Sequence, residues 1–185
     1  MSRLMCLILV LGFSCGCSGV VYSTLPIGGE VRRIDASQWD GVWRIEDGSD
    51  EIRFQVVDAD GGALLLISTQ DDAPASERLT AFVRQHADLT FVSIACIDRS
   101  CDTGKGVVDR YLWVVAAMHE DTMLVWIPHA DAFEALVDQD LLPGERDGSD
   151  VLLHPLEDRH YDLFDAQDHG TLLDWRHPLI FKRIA

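Results

Sequence analysis

The amino-acid sequence predicts a mainly β (α+β) fold: an antiparallel meander of about 7–9 strands that forms a barrel or a curved sheet. Between residues 41 and 127, short apolar or alternating segments recur, and turn residues separate each from the next. Beyond residue 130 the apolar residues change to a helical period, which predicts two short helices near the C-terminus. At 185 residues, 48% of them apolar, the chain has the length and composition of one domain with its own core.

Seven strand candidates follow one another in meander order. The second alternates polar and apolar residues, which places Ile52, Phe54 and Val56 on one face. Asp60-Gly61, in the turn after it, is a strong hairpin signal. The segments are 41–46, 51–56, 63–67, 79–84, 89–96, 110–118 and 122–127.

The helical pattern begins after these strands. Phe133, Leu136, Val137 and Leu141 share one face of a helix predicted over residues 130–139. The remaining elements are a short strand at 151–153, a second helix at 156–167 with Pro155 in its first turn, and a last strand at 179–184.

Residues 112–115 and 123–126, on neighbouring strand candidates, are apolar on both faces. An antiparallel sheet with one face in water should alternate, so we expect the second face here to be covered. The cover is either the helix at 130–139 or, in a functional interpretation, a ligand or a partner protein. The candidate ligand or partner residues are aromatic: Trp43, Phe54, Trp113 and Trp126.

Residues 1–16 are predicted to be a secretory signal peptide. Arg3 precedes an apolar run from Leu4 to Phe13, and small residues follow over 14–19. At about 1.5 Å per helical residue the run spans about 15 Å, half of a bilayer core. A positive start, a short apolar middle and a small-residue exit are typical of secretion.

Ser14-Cys15-Gly16-Cys17 resembles the lipobox of bacterial lipoproteins, in which a small residue precedes the modified cysteine. The resemblance implies cleavage before Cys17 and acyl chains such as palmitate on it, although Ser14 stands where that family usually has Leu. Ser18, which is not Asp, implies sorting to the outer membrane, facing the periplasm, as in the enterobacterial members. The alternatives are plain signal-peptidase cleavage and an uncleaved anchor.

The mature chain is predicted to divide into two parts. Residues 17–38 form the lipidated N-terminus and a tether, because glycines and a proline interrupt any regular element there. Residues 39–185 form a single β-rich domain. In the alternative interpretation, Val20-Val21-Tyr22 packs on that domain instead of belonging to the tether.

Cys96 and Cys101 remain as an even pair once Cys6 and Cys15 leave with the signal peptide and Cys17 carries the lipid. In an oxidising compartment this predicts a Cys96–Cys101 disulfide, worth about 2 kcal/mol in the chain-entropy model. Four residues separate the two cysteines, which differs from the C-x-x-C redox motif. The alternative is two free thiols.

Gly41-Val42-Trp43, on the first predicted strand, resembles the G-x-W motif of lipocalins. In that family the Trp packs under the floor of the barrel near an Arg from the last strand, and Arg183 lies at the matching end of this chain. The resemblance implies a closed lipocalin-like barrel. An open curved sheet closed by helices, with Trp43 as an ordinary core aromatic, is the other interpretation.

The formal net charge of −16 argues against nucleic-acid binding, which needs a positive face. The sequence contains no nucleophile elbow, P-loop, H-E-x-x-H or EF-hand motif, and we predict no cofactor, metal or catalytic residue. Most of the seven histidines stand beside turns or acids and are expected at the surface.

These observations predict a non-enzymatic envelope lipoprotein that binds a small apolar ligand or a protein partner in the periplasm and is held to the membrane by its lipid. The first alternative is an immunity or inhibitor lipoprotein that neutralises a secreted cell-wall-degrading toxin, since an acidic surface steers association with a basic partner. The second alternative is an enzyme whose site no known motif reveals.

Overall fold

The structure is a computed structural model that describes residues 19–46, 48–68, 78–96, 110–165 and 172–184. The predicted signal peptide, Cys17 and Cys101 lie outside these ranges. The strands are β1 Val21–Ser23, β2 Glu30–Val31, β3 Gly41–Ile45, β4 Glu51–Asp58, β5 Ala63–Ser68, β6 Arg78–His86, β7 Leu89–Ala95, β8 Tyr111–His119, β9 Thr122–Trp126, β10 Gly144–Asp147, β11 Asp150–Leu153 and β12 Leu179–Arg183. The helices are α1 Ala36–Trp39, α2 Ala130–Asp138 and α3 Asp158–Asp165.

Eight of these strands close into an antiparallel barrel. Strands β3 to β9 pair in chain order, and β12 lies between β9 and β3, so the last strand completes the ring. Phe181 in β12 has Ile45 as its register partner on one side and Met123 on the other. The predicted antiparallel meander is confirmed, and its form is a barrel rather than an open curved sheet.

The two ends of the barrel are built differently. At one end, called the closed end, α1 leads into β3 and the strands are joined by short turns at 59–62, 87–88 and 120–121. At the other end, called the loop end, the connections are longer and run over 46–50, 69–77, 96–110 and 127–178. The two ends of the barrel therefore differ in the length of the connections that can cover them.

β1 lies in a small sheet beside the barrel. It pairs antiparallel with the start of β8 and parallel with β11, which forms a hairpin with β10. Val21 in β1 and Ile27 after it are buried. The stretch expected to be a tether, 17–38, is therefore folded from Val20 onward, because its apolar residues complete the packing around β8 and β11. The alternative in which Val20-Val21-Tyr22 packs on the domain is the one observed.

The helices at 130–139 and 156–167 predicted from periodicity are present as α2 and α3. Helix α1 and strands β1, β2 and β10 were not predicted. Helix α1 has four residues, β1 three and β2 two, and β10 reads Gly-Glu-Arg-Asp, which has no apolar alternation. Among the described residues, no helix is both long and apolar enough to cross a bilayer.

The apolar residues form two separate cores. The first lies inside the barrel and includes Trp43, Phe54, Leu64, Val83, Val114, Met123 and Phe181. The second lies outside it, between the outer face of β7 and β8 and a layer made by β1, β11, α2 and α3. The expected cover over the second face is confirmed, and helix 130–139 supplies part of it.

Candidate ligand site

Trp43, Arg183 and α1 seal the closed end of the barrel. Trp43 is fully buried, and its Nε1–H donates a hydrogen bond to the backbone oxygen of Trp39 at 3.0 Å. The Arg183 guanidinium lies 4.8 Å from the centre of the Trp43 ring and donates hydrogen bonds to the backbone oxygens of Ser37 and Gln38. The Trp–Arg contact that the lipocalin resemblance implies is thus present in this barrel.

Helix α1 depends on side chains for its termini, because four residues form almost no intrahelical hydrogen bonds. Asp35 caps its start by accepting a hydrogen bond from the Ser37 N–H at 2.9 Å. This hydrogen bond holds the pKa of the exposed Asp35 carboxyl below its usual value. Arg183 satisfies carbonyl groups at the other terminus, so one side chain stabilises both α1 and the barrel floor.

The closed half of the barrel interior is filled by aromatic rings. Phe54 packs against Trp39 and Trp43, with ring centroids 6.4 Å and 6.2 Å apart. Aromatic rings at these separations attract one another beyond the area they bury. Trp43 and Phe54, two of the predicted ligand candidates, therefore form the packed floor of the barrel.

Near the loop end of the interior several apolar side chains are only partly buried, although Ile52 and Leu112 there are buried. These residues pack on the barrel core and lie in or directly after β3, β6, β7, β9 and β12: Ile45, Leu79, Cys96, Ile127 and Leu179. Tyr22 in β1 and Val20 just before it extend this lining where β8 has separated from β9. An apolar lining that stays partly accessible is the usual surface of a small-molecule site.

Trp113 points out of the barrel into the second core. It is fully buried, and its ring meets Phe133 of α2 edge-on at 5.4 Å and Phe164 of α3 at 5.9 Å. Its Nε1–H has no hydrogen-bond partner within the described residues. Trp113 thus anchors the two helices on the barrel wall.

Trp126 lies on the same outer face as Trp113. Its ring is 5.2 Å from that of Trp175, whose backbone oxygen accepts from the Trp126 Nε1–H at 3.4 Å. The four aromatic candidates therefore separate into two pairs: Trp43 and Phe54 inside the barrel, Trp113 and Trp126 outside it. No single cavity is lined by all four.

Cys96 lies at the loop end, where its N–H donates to the backbone oxygen of Arg110 at 2.9 Å. This hydrogen bond joins the two strands from which the connection containing Cys101 leaves. Because Cys101 is outside the described residues, the Cys96–Cys101 disulfide stays a prediction, and so does the lipid on Cys17.

The titratable groups of the described residues form no cluster of three or more metal-ligating side chains. Asp174 and His177 pair at 2.9 Å on the surface, and the hydrogen bond from His177 holds the pKa of Asp174 below its usual value. His160 differs from the expectation of surface histidines, because it is 92% buried at the start of α3. The sequence signal that could have indicated this burial is its place in the first helical turn, three residues after Glu157, where a side chain can cap the backbone N–H of that residue.

Comparison with protein-family models, curated proteins and solved structures found no match to this chain.

Proposed function

We propose that this protein is a non-enzymatic envelope lipoprotein whose barrel holds a small apolar ligand at the loop end. The observation that carries the proposal is the contrast between the two ends of one closed barrel. The closed end is covered by packed aromatic rings and Arg183, and of the described interior residues only Val56 and Met118 stay partly accessible near it. Near the loop end more of the interior apolar side chains stay partly accessible: Ile45, Leu79, Cys96, Ile127 and Leu179.

A ligand is favoured because the partly accessible apolar side chains at the loop end would otherwise be in contact with water. Apolar surface left in contact with water costs about 25 cal/mol for each Å² that a ligand would cover. Residues that point into a barrel and are half-buried cannot remove this surface by packing against each other alone. An apolar molecule entering from the loop end would cover it, and the sealed floor would limit how far the molecule enters.

The N-terminal sequence supports the envelope location. The lipobox-like segment implies a lipid on Cys17, and only Ser18 and Gly19 separate it from Val20, which hydrogen-bonds to Asp150 at 2.8 Å. At about 3.5 Å per extended residue, this spacing would hold the small β1 sheet within about 10 Å of the anchoring bilayer. The barrel would then work directly at a membrane surface.

A fluorescence titration with N-phenyl-1-naphthylamine, an uncharged apolar probe, tests the proposal on the full chain. We expect saturable binding that Leu79→Gln weakens about tenfold, because the amide would be buried against the ligand. Thr80→Gln is the matched control, since it lies on the same strand and faces outward. Absence of saturable binding, or equal weakening by both variants, would contradict the barrel as the site.

The net charge of −16 favours one second candidate, an inhibitor of a basic secreted toxin. A complex of this kind forms quickly at low salt and more slowly as salt screens the charges. The two candidates are distinguished by measuring probe binding in parallel with capture of secreted basic proteins at two salt concentrations. Salt-sensitive capture of one protein, without binding of the apolar probe, would favour the inhibitor.

A further inference from the structure

The outer face of one side of the barrel concentrates positive charge. In the described strands β3–β6 and β12, residues that point into the barrel core alternate with residues that point outward. The outward positions hold five of the chain's 15 Lys and Arg residues: Arg44, Arg53, Arg78, Arg84 and Lys182. They hold two of its 31 Asp and Glu residues, Glu51 and Asp58. This surface, called the basic wall, is therefore opposite in sign to the net charge of −16.

The two carboxylates of the basic wall already have partners, whereas two of its arginines do not. Glu51 pairs with Arg44 on the neighbouring strand, and Asp58 accepts a hydrogen bond from the Gly61 N–H at 2.9 Å. Arg53 and Arg78 are exposed and form no ion pair within the described part of the chain. These two guanidinium groups are therefore available to carboxylates of another molecule.

Apolar side chains lie between the cations of the basic wall. Ile67 of β5 has Arg53 as its register partner on one side and Arg78 on the other. This arrangement places the two arginines about 10 Å apart across the sheet. Leu65, also on β5, and Phe82 on β6 point outward as well and are partly exposed. The wall thus presents fixed positive charge and apolar surface together.

This combination is typical of a protein interface. Arginine and aromatic residues are enriched where proteins meet, because each brings a large contact area and directed interactions. On the basic wall the two kinds of residue are in direct contact: the Cζ atom of Arg84 lies 5.6 Å from the centre of the Phe82 ring. Charges that serve solubility alone need no apolar neighbours.

The basic wall lies on the side of the barrel opposite the second core. In the ring of eight strands, β4 is four places from β8 in either direction. The layer of β1, β11, α2 and α3 covers β7 and β8, so it leaves the outer face of β4 and β5 accessible. On the lipid anchor proposed above, β1 would hold the β8 side towards the bilayer, and the wall would face away from that membrane.

We propose that the basic wall binds an acidic protein. Carboxylates of the partner would pair with Arg53 and Arg78, whose planar guanidinium groups match a carboxylate in two hydrogen bonds. Apolar side chains of the partner would cover Leu65, Ile67 and Phe82, which a simple polyanion could not do. The acidic remainder of the surface repels such a partner, so contact is restricted to this wall. The proposal is independent of the barrel ligand, because these residues point outward.

Fluorescence anisotropy of a labelled peptide in which Glu and Leu alternate tests the chemistry on the full chain. One comparison peptide has Ser in place of every Leu, and the other has Lys in place of every Glu. We expect the Glu–Leu peptide to bind at least about tenfold more tightly than either, and more weakly as salt screens the charges. The proposal is overturned if the Glu–Leu peptide does not bind saturably, or if the Glu–Ser peptide binds as tightly.

Paired variants locate the binding surface. Changing Arg53→Gln together with Arg78→Gln removes both unpaired guanidinium groups, and we expect it to weaken Glu–Leu peptide binding at least about tenfold. The matched control, Arg159→Gln with Arg176→Gln, makes the same change in net charge at exposed residues outside the wall. It should change the affinity by less than about twofold. Equal weakening by the two pairs would reflect net charge alone and overturn the assignment.

Two other occupants of the wall give different results. Vesicles of phosphatidylglycerol test a bilayer: if they bind through Arg53 and Arg78 while the Glu–Leu peptide does not bind, the wall is a membrane surface. The connection 69–77 between β5 and β6 contains Asp71 and Asp72, which could themselves pair with the arginines. Peptide binding that occurs only after Asp71→Asn and Asp72→Asn would assign the wall to this connection. Either result would overturn the proposal.

Discussion

Arg183 connects the last strand of the barrel to the helix that precedes its first strand. The Arg183 guanidinium packs on Trp43 and donates to two backbone oxygens of α1. The backbone N–H of Arg183 donates to the backbone oxygen of Asp121. Residues far apart in the chain are thus held together by one side chain. The contribution is larger than that of a surface ion pair, because the donors are charged and the side chain is 80% buried.

We predict that Arg183→Met lowers the free energy of unfolding by about 2–3 kcal/mol, since Met keeps the apolar stem but removes the charged donors. Urea denaturation followed by tryptophan fluorescence measures the change. Lys182→Met is the matched control and should cost less than about 0.5 kcal/mol, because its side chain is exposed. Similar losses in both variants would mean that the contact with α1 contributes little.

Tyr161 links α3 to the segment before β2. Its hydroxyl accepts a hydrogen bond from the Gly28 N–H at 2.9 Å, and its ring stacks on His86 at 4.2 Å. Burial raises the pKa of the Tyr161 phenol above its usual value, because the ionised form is poorly solvated there.

A raised pKa means that the folded state holds its proton more tightly than the unfolded state does. The contribution to stability is therefore complete below the unfolded pKa of about 10 and is lost as the pH rises towards the folded value. We predict that Tyr161→Phe costs about 0.5–1.5 kcal/mol at pH 7 and reduces the fall in stability above about pH 10. Urea denaturation of both chains at pH 7 and above about pH 10 measures the two effects. If Tyr161→Phe loses as much stability above about pH 10 as the original chain, Tyr161 is not the group responsible.

The sequence predicted some of these residue contacts and missed others for identifiable reasons. The Trp43–Arg183 contact followed from the position of both residues in a known motif. The burial of His160 did not follow, because residues 137–144, which line a surface cleft together with it, are distant in sequence. In the hairpin after β4, Asp60-Gly61 was the signal, but the residue with positive φ is Gly62. The turn was predictable, whereas its exact geometry was not.

At the scale of elements, the uninterrupted apolar pattern of β8 and β9 was the most informative feature of the sequence. It required a cover on the outer face, and α2 and α3 provide one through Phe133 and Phe164. Short elements were missed because their sequences have no periodicity: β10 reads Gly-Glu-Arg-Asp and pairs only because β11 presents an edge.

We predict that Phe133→Ala costs about 3–5 kcal/mol, because the ring is fully buried between Trp113 and Phe164 and its removal leaves a cavity. Urea denaturation measures the loss, and Asp131→Asn, exposed on the same helix, should change stability by less than about 0.5 kcal/mol. A loss for Phe133→Ala as small as that of the control would mean that α2 is not part of the cooperative core.

At the scale of the whole molecule, the sequence pattern did not predict that the barrel closes. Strands β3 to β9 are neighbours in the chain, so their pairing follows from short connections. Closure depends instead on β12, which reaches β9 and β3 only after the long connection 127–178. Periodicity predicted that β12 exists but contained no information about which edges it joins. The barrel and the open sheet were therefore equally compatible with the sequence.

The lipid anchor proposed for this molecule can be tested on its mature N-terminus. Because the Val20 N–H already bonds to Asp150, the connection from there to Cys17 is only Ser18 and Gly19, and a lipid on Cys17 would fix the barrel close to the bilayer. One acyl chain gives only marginal membrane binding, so stable attachment needs at least two. We predict that the mature chain begins at Cys17 and that mass spectrometry finds two or more acyl chains on that residue.

Cys17→Ser should abolish this added mass, whereas Cys15→Ser, two positions earlier in the signal segment, should leave it unchanged because that cysteine is removed by cleavage. An unlipidated N-terminus in the original chain would show secretion without an anchor. Added mass that persists in Cys17→Ser would place the lipid on another residue and give the barrel a different distance from the membrane.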